Sequence, residues 1–191
     1  MSAPLKSWQT EPAADSPPFD PIEGLVTTYF QLQGYITSSN KWFWVWEEGK
    51  QQRGYQDMDV LAVKSRETVI VSATGNLDDK VRRTSSGDIN QGMVDRLVSY
   101  FDRCTHYLRS VPDYEWLVAP DRSVRRVVVY KSGQGLAKTI DEHLGQHGIE
   151  LLDVHVLMEA VQNAVHTQKN IRTNNQILKL LQIIPARPQP V

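Results

Sequence analysis

A single cysteine, Cys104, is all this chain carries. That excludes an internal disulfide framework and fits a reducing compartment. No apolar run approaches the roughly 20 residues that cross a bilayer. The N-terminus lacks the charged-then-apolar layout of a secretory signal, so a cytoplasmic protein is expected. An excess of positive charge is also missing. Lys and Arg number 21 against 22 Asp and Glu, for a net charge of -1. Such a balance does not favour non-specific nucleic-acid binding, so any basic face has to be local. A complete phosphate loop is absent too. The segment Lys131-Ser-Gly-Gln-Gly-Leu-Ala-Lys-Thr139 lacks the glycine before Lys138 and reads as a strand-to-helix turn, with room for an anion at the helix N-terminus. Internal repeats and long linkers are lacking as well.

What remains is ordinary globular material. A chain of 191 residues, 40% hydrophobic and 23% charged, suits one domain with a sizeable core. Residues 1–19 are rich in Pro, Ala, Ser and acids and read as a flexible arm. The proline-rich stretch 185–191 reads as a disordered tail, leaving 20–184 as the single domain. Asp20, Pro21 and Glu23 mark a helix start, Ile22, Leu25, Val26, Tyr29 and Phe30 share one face, and Gly34 is a stop. A first strand is expected at Tyr35–Thr37 and Trp42–Trp46, broken by a polar turn at Ser38-Ser39-Asn40, with a hairpin turn at Glu47–Lys50. Asp57–Lys64 and Thr68–Thr74 follow as strands, the latter central and buried on both faces. Beyond a polar stretch, Gly75–Gly87, an amphipathic helix spans Ile89–Leu108 with Cys104 on its apolar face. Val124–Tyr130 is a strand, Leu136–Gln146 a helix, Ile149–Asp153 a strand, and His155–His166 and Asn174–Ile184 are helices. The expected fold is α/β, with a mixed β-sheet flanked by helices.

Two acids, Asp57 and Asp59, stand on the second strand, two residues apart and so on one face. Thirteen residues after Asp59 comes Ser72-Ala73-Thr74 on the third strand. The order helix–β–β–β–helix–β, the opening helix Gly24–Tyr35 with Glu23 before it, and the strands Asp57-Met-Asp-Val-Leu-Ala-Val63 and Thr68-Val-Ile-Val-Ser-Ala-Thr-Gly75 resemble the PD-(D/E)XK, or restriction-endonuclease-like, nuclease superfamily across roughly residues 20–130. The resemblance implies that Asp59 occupies the place of the family's metal-binding aspartate and Glu23 that of an acid on the first helix. It also implies that Ser72 and Thr74 replace the glutamate and lysine of Glu-x-Lys. Working members hold Mg²⁺ between carboxylates on adjacent strands and use the lysine beside an activated water. Hydroxyls bring neither the second negative charge nor the cation.

The resemblance therefore implies a catalytically degenerate domain with no cofactor. Its expected work is nucleic-acid binding or protein interaction, in the DNA repair, restriction or mobile-element settings where such domains occur. An alternative keeps Mg²⁺-dependent activity through relocated ligands, Asp59 with Asp78 and Lys80 of the following loop, against the plain reading of that loop as solvated charge. A third reading is a structural or assembly subunit. Lys80, Arg82 and Arg83, with Arg125 and Arg126, are candidates for a phosphate backbone, or else solvated rims. Alternation places Trp42, Trp44 and Trp46 on one strand face, opposite Phe43 and Val45. That face suits base stacking by Trp44, a protein partner, a homodimer contact or core packing. His143 and His147 have chelating spacing, but an exposed helix end accounts for them.

Overall fold

The computed structural model describes residues 20–46, 52–132 and 137–167. Helix α1 runs Pro21–Leu32, and the Asp20 carboxylate accepts from the backbone N–H of Ile22 at 2.7 Å and of Glu23 at 3.3 Å. That cap contributes about 1 kcal/mol to a helix of this kind. Strands β1 (Ile36–Trp46), β2 (Gln52–Lys64) and β3 (Glu67–Asn76) form an antiparallel meander. Helix α2 (Gln91–Ser110) then crosses to β4 (Ser123–Ser132), which runs parallel to β3. Helix α3 (Ala137–Gly145), β5 (Ile149–Asp153) and α4 (Val154–Thr167) complete the described chain. The sheet has five strands in the order β1-β2-β3-β4-β5, with β5 parallel to β4. This is the mixed sheet flanked by helices, in the expected order of elements.

Two apolar layers hold the sheet. On one face Val60, Ala62, Val69, Val71, Val127 and Val129 pack against α1 and α4 through residues such as Phe30 and Leu157. On the other, Phe43, Met58, Leu61, Ile70 and Val128 pack under α2 and α3 through Phe101, Leu108 and Leu144. Strand β3 carries apolar side chains to both layers, as its unbroken β-branched run requires.

Several boundaries differ from expectation. Ser38, Ser39 and Asn40 do not break the first strand; they lie within β1, and Asn40 alone takes a left-handed φ of 54°, a conformation its short side chain tolerates. The stretch after β3 is less irregular than its polarity suggests. It holds a short 3₁₀ turn at Leu77–Asp79, with Leu77 buried, and a bridge between Arg83 and Ile89. A second 3₁₀ turn, Glu115–Val118, brings in Leu117, whose carbonyl accepts from the buried Thr68 hydroxyl at 2.6 Å. The arm 1–19, the hairpin turn Glu47–Lys50, the helix expected at Asn174–Ile184 and the tail 185–191 lie outside the described residues. No described helix is long and apolar enough to cross a membrane.

Candidate functional site

Strands β2 and β3 pair from Lys64↔Glu67 as far as Val60↔Val71, and the ladder stops there. Asp59 is the next residue of β2. Its Oδ2 accepts the backbone N–H of Ala73 at 2.5 Å, so a side chain continues the connection that the backbone ends. The alternation of β2 also breaks at this point. Met58 joins the α2 layer while Val60 joins the α1 layer, although two residues apart on a regular strand face alike. Asn40 stands across from this break in β1, between the pairs Ser39↔Val60 and Lys41↔Met58. The same-face rule that groups Asp57 with Asp59 thus does not hold strictly here, yet the two carboxylates are close enough to act on each other electrostatically.

Three elements bring ionisable groups to Asp59. Burial pushes its carboxyl up to about 6; the Ala73 N–H and the Lys80 ammonium oppose that rise, and Asp57 adds to it. The Ser72 hydroxyl also favours the charged form of Asp59, although it falls short of hydrogen-bond geometry with any described group. From α1, Glu23 is pushed up to about 7, first by burial and then by the negative charge of Asp59, Asp20 and Asp57, with the Asn40 side chain working the other way. From α2, the Tyr100 phenol is raised far above its ordinary range by burial, with Cys104, Asp59 and Asp57 adding to it. The Lys80 ammonium lies 6.0 Å from the centre of the Tyr100 ring. Glu23 Oε2, Trp42 Nε1, Ser72 Oγ and Tyr100 OH are buried without a hydrogen-bond partner among the described residues.

The site residues expected from the sequence are therefore only partly assembled. Glu23, Asp57, Asp59, Ser72 and Lys80 act on one another or on Asp59. Thr74 instead bonds locally, its hydroxyl donating to the Asn76 carbonyl at 2.9 Å. Asp78 belongs to the 3₁₀ turn, its N–H held by Asn76 Oδ1 at 3.2 Å. Among the described residues no three His, Cys, Asp or Glu side chains are grouped to hold a metal ion.

The basic candidates separate as well. Arg125 faces the α1 side of the sheet and pairs with Glu150 at 2.7 Å and Glu67 at 3.2 Å. Arg126 faces the other side and pairs with Asp102 at 2.7 Å. Arg82 and Arg83 are exposed on the loop after Lys80. Phe43 and Val45 pack with the α2 layer, and Trp44 meets its cross-strand neighbour Tyr55 in a tilted contact at 3.6 Å between ring centres. The Trp46 side chain lies outside the described residues. His147 falls beyond the end of α3, and His143 contacts Gln91 at 3.2 Å.

Sequence reasoning missed Gln56 and Tyr100. Gln56 Nε2 donates to the Tyr100 carbonyl at 3.2 Å and to Cys104 Sγ at 3.4 Å, and its Oε1 accepts from Arg103 Nε at 2.5 Å, which pins β2 under α2. A polar residue at an inward strand position was the available signal. Burial pushes the Cys104 thiol up to about 12, so it is a packed, unreactive group.

No family model matches the chain. No curated protein matches it. A solved structure of a protein of unknown function, AF1548, is similar at 15% identity and a TM-score of 0.38, over 72% of this chain and 64% of that one. At that distance the likeness bears on neither fold nor activity.

Proposed function

We propose that this chain is a catalytically degenerate member of the restriction-endonuclease-like nucleases that binds nucleic acid without cutting it. The observation that carries the reading is the state of Asp59. It sits where β2 and β3 part, with Ser72 and Lys80 beside it, but one oxygen is committed to the Ala73 N–H at 2.5 Å. A cation there meets a carboxylate already bonded, a neighbour that is a neutral hydroxyl, and no group of three His, Cys, Asp or Glu placed to hold it among the described residues. Of the basic candidates, Lys80, Arg82 and Arg83 form no ion pair with a carboxylate among the described residues, whereas Arg125 and Arg126 do, so the first three are the ones offered to a phosphate backbone.

The relocated-ligand reading keeps one support, the proximity of Lys80 to Asp59. Asp78, its proposed second acid, is held by its backbone N–H in the 3₁₀ turn after β3. One experiment separates the two. Mixed DNA and RNA is incubated with the protein and Mg²⁺ or Mn²⁺, scoring both retention and cleavage. Salt-sensitive retention without cleavage, weakened when Lys80, Arg82 and Arg83 are neutralised together, is expected. Cleavage lost in Asp59→Ala overturns the proposal in favour of an active nuclease. Neither retention nor cleavage overturns it in favour of an assembly role.

A further inference from the structure

Strand β1 borders the sheet, and among the described residues it pairs with β2 alone. Alternate N–H and C=O groups of such a strand point away from the sheet. The backbone of Trp42–Val45 makes no bond outside the β2 ladder among the described residues. Natural edges are usually guarded by charge, proline, a bulge or short length. Strand β1 is 11 residues long, and its run Trp42-Phe-Trp-Val-Trp46 has neither charge nor proline; its ladder to β2 shifts register only at the far end, between Val45 and Trp46. Of the charges that flank the run, Lys41 is turned inward, its Nζ 2.7 Å from the Tyr114 hydroxyl, and Glu47 lies outside the described residues; in a two-fold pairing about Trp44 these two opposite charges fall across from each other. Beside this edge a recess of about 330 Å³ opens between Phe43–Val45 and the α2 residues Arg103, His106 and Tyr107.

We propose that the occupant of this edge is β1 of a second copy of the chain, paired antiparallel about a two-fold axis at Trp44. The run is self-complementary about that residue. Trp42 of one copy falls opposite Trp46 of the other, and Phe43 opposite Val45, so every pair is apolar and no like charges meet. Residues opposite each other share a sheet face. Phe43 and Val45 of the second copy therefore lie on the α2 side, so the recesses of the two copies open on the same face of the joined sheet. The result is one continuous sheet through both copies. This inference stands apart from the nuclease reading, because it uses neither Asp59 nor the basic loop.

The full chain is examined by sedimentation across a concentration series, with amide exchange read on the segment containing Trp42–Trp46. A dimer is expected, with protection of that segment rising as the dimer fills. Trp44→Cys places two thiols across the axis and is expected to give a disulfide-linked dimer on mild oxidation, whereas Ser85→Cys, on the exposed loop, is not. Trp44→Lys is expected to yield monomer with an unchanged circular dichroism spectrum. A monomer throughout, a dimer that leaves exchange in β1 unchanged, or open-ended assembly overturns the proposal. The exchange readout uses the unaltered chain, so it decides the matter even if a variant fails to fold.

Discussion

The Asp59 carboxylate accepts the Ala73 N–H at 2.5 Å, one step past the last backbone pair between β2 and β3. A side chain thus replaces a ladder bond at the point where the two strands separate. Asp59→Ala strips the Ala73 N–H of its acceptor and is expected to cost about 1–3 kcal/mol in urea unfolding. Asp59→Asn keeps an acceptor oxygen and removes the charge, so its loss is expected to be under half of that. Equal losses for the two variants would show that charge, not the bond to Ala73, is what matters.

Proton linkage at the same place has a definite sign. Glu23 is raised to about 7 and Asp59 to about 6 in the folded chain, from ordinary values of 4.5 and 3.8. Between the unfolded and folded values the native state holds protons that the unfolded chain releases. The contribution is therefore complete at low pH and is lost as pH rises toward 7. Unfolding free energy is expected to decline between about pH 4 and pH 7 and to level off above it, and Glu23→Gln is expected to flatten the decline. The difference is on the order of 1 kcal/mol once solvent screening of this half-buried site is allowed for. A slope unchanged by Glu23→Gln contradicts the assignment.

Arg125 ties β3 to β5 through Glu67 and Glu150, across the intervening β4. Glu67 also accepts from the Tyr35 hydroxyl. Arg125→Gln is expected to cost about 1 kcal/mol of stability, modest because all three charges are partly solvated. It is expected to leave the salt slope of nucleic-acid binding where it was. A slope reduced by about one unit would place Arg125 on phosphate instead.

Cys104 is buried, and its thiol is pushed up to about 12. Labelling by a thiol reagent at pH 8 is expected to follow opening of the α2 layer and to slow as the protein is stabilised. Rapid stoichiometric labelling of the folded chain would contradict this packing.

Much of the fold was legible because its signals are periodic. The β-branched run of β3 announced a central strand, and Asp20 with Pro21 announced α1. Phe43 and Val45 share the α2 layer, as alternation along the strand requires. Non-local facts were not legible. Nothing in Ser38-Ser39-Asn40 shows that β2 will carry these polar residues along as its ladder partner. Nothing near Arg125 or Arg126 in sequence announces Glu150 or Asp102. At the site, Asp59, Ser72 and Glu23 were visible as residue types, but the commitment of Asp59 to Ala73 depends on where one ladder ends. Asp78 looked equivalent to its neighbours until its 3₁₀ turn gave its N–H a local partner, Asn76.

Titration with Mn²⁺, read as the melting temperature of the wild-type chain and of Asp59→Asn side by side, tests the central claim most directly. If Asp59 is a strand connector and not a cation ligand, the two curves respond alike, with no saturable rise at millimolar metal. A saturable rise in the wild type that disappears in Asp59→Asn would place a divalent ion on Asp59 and contradict the account.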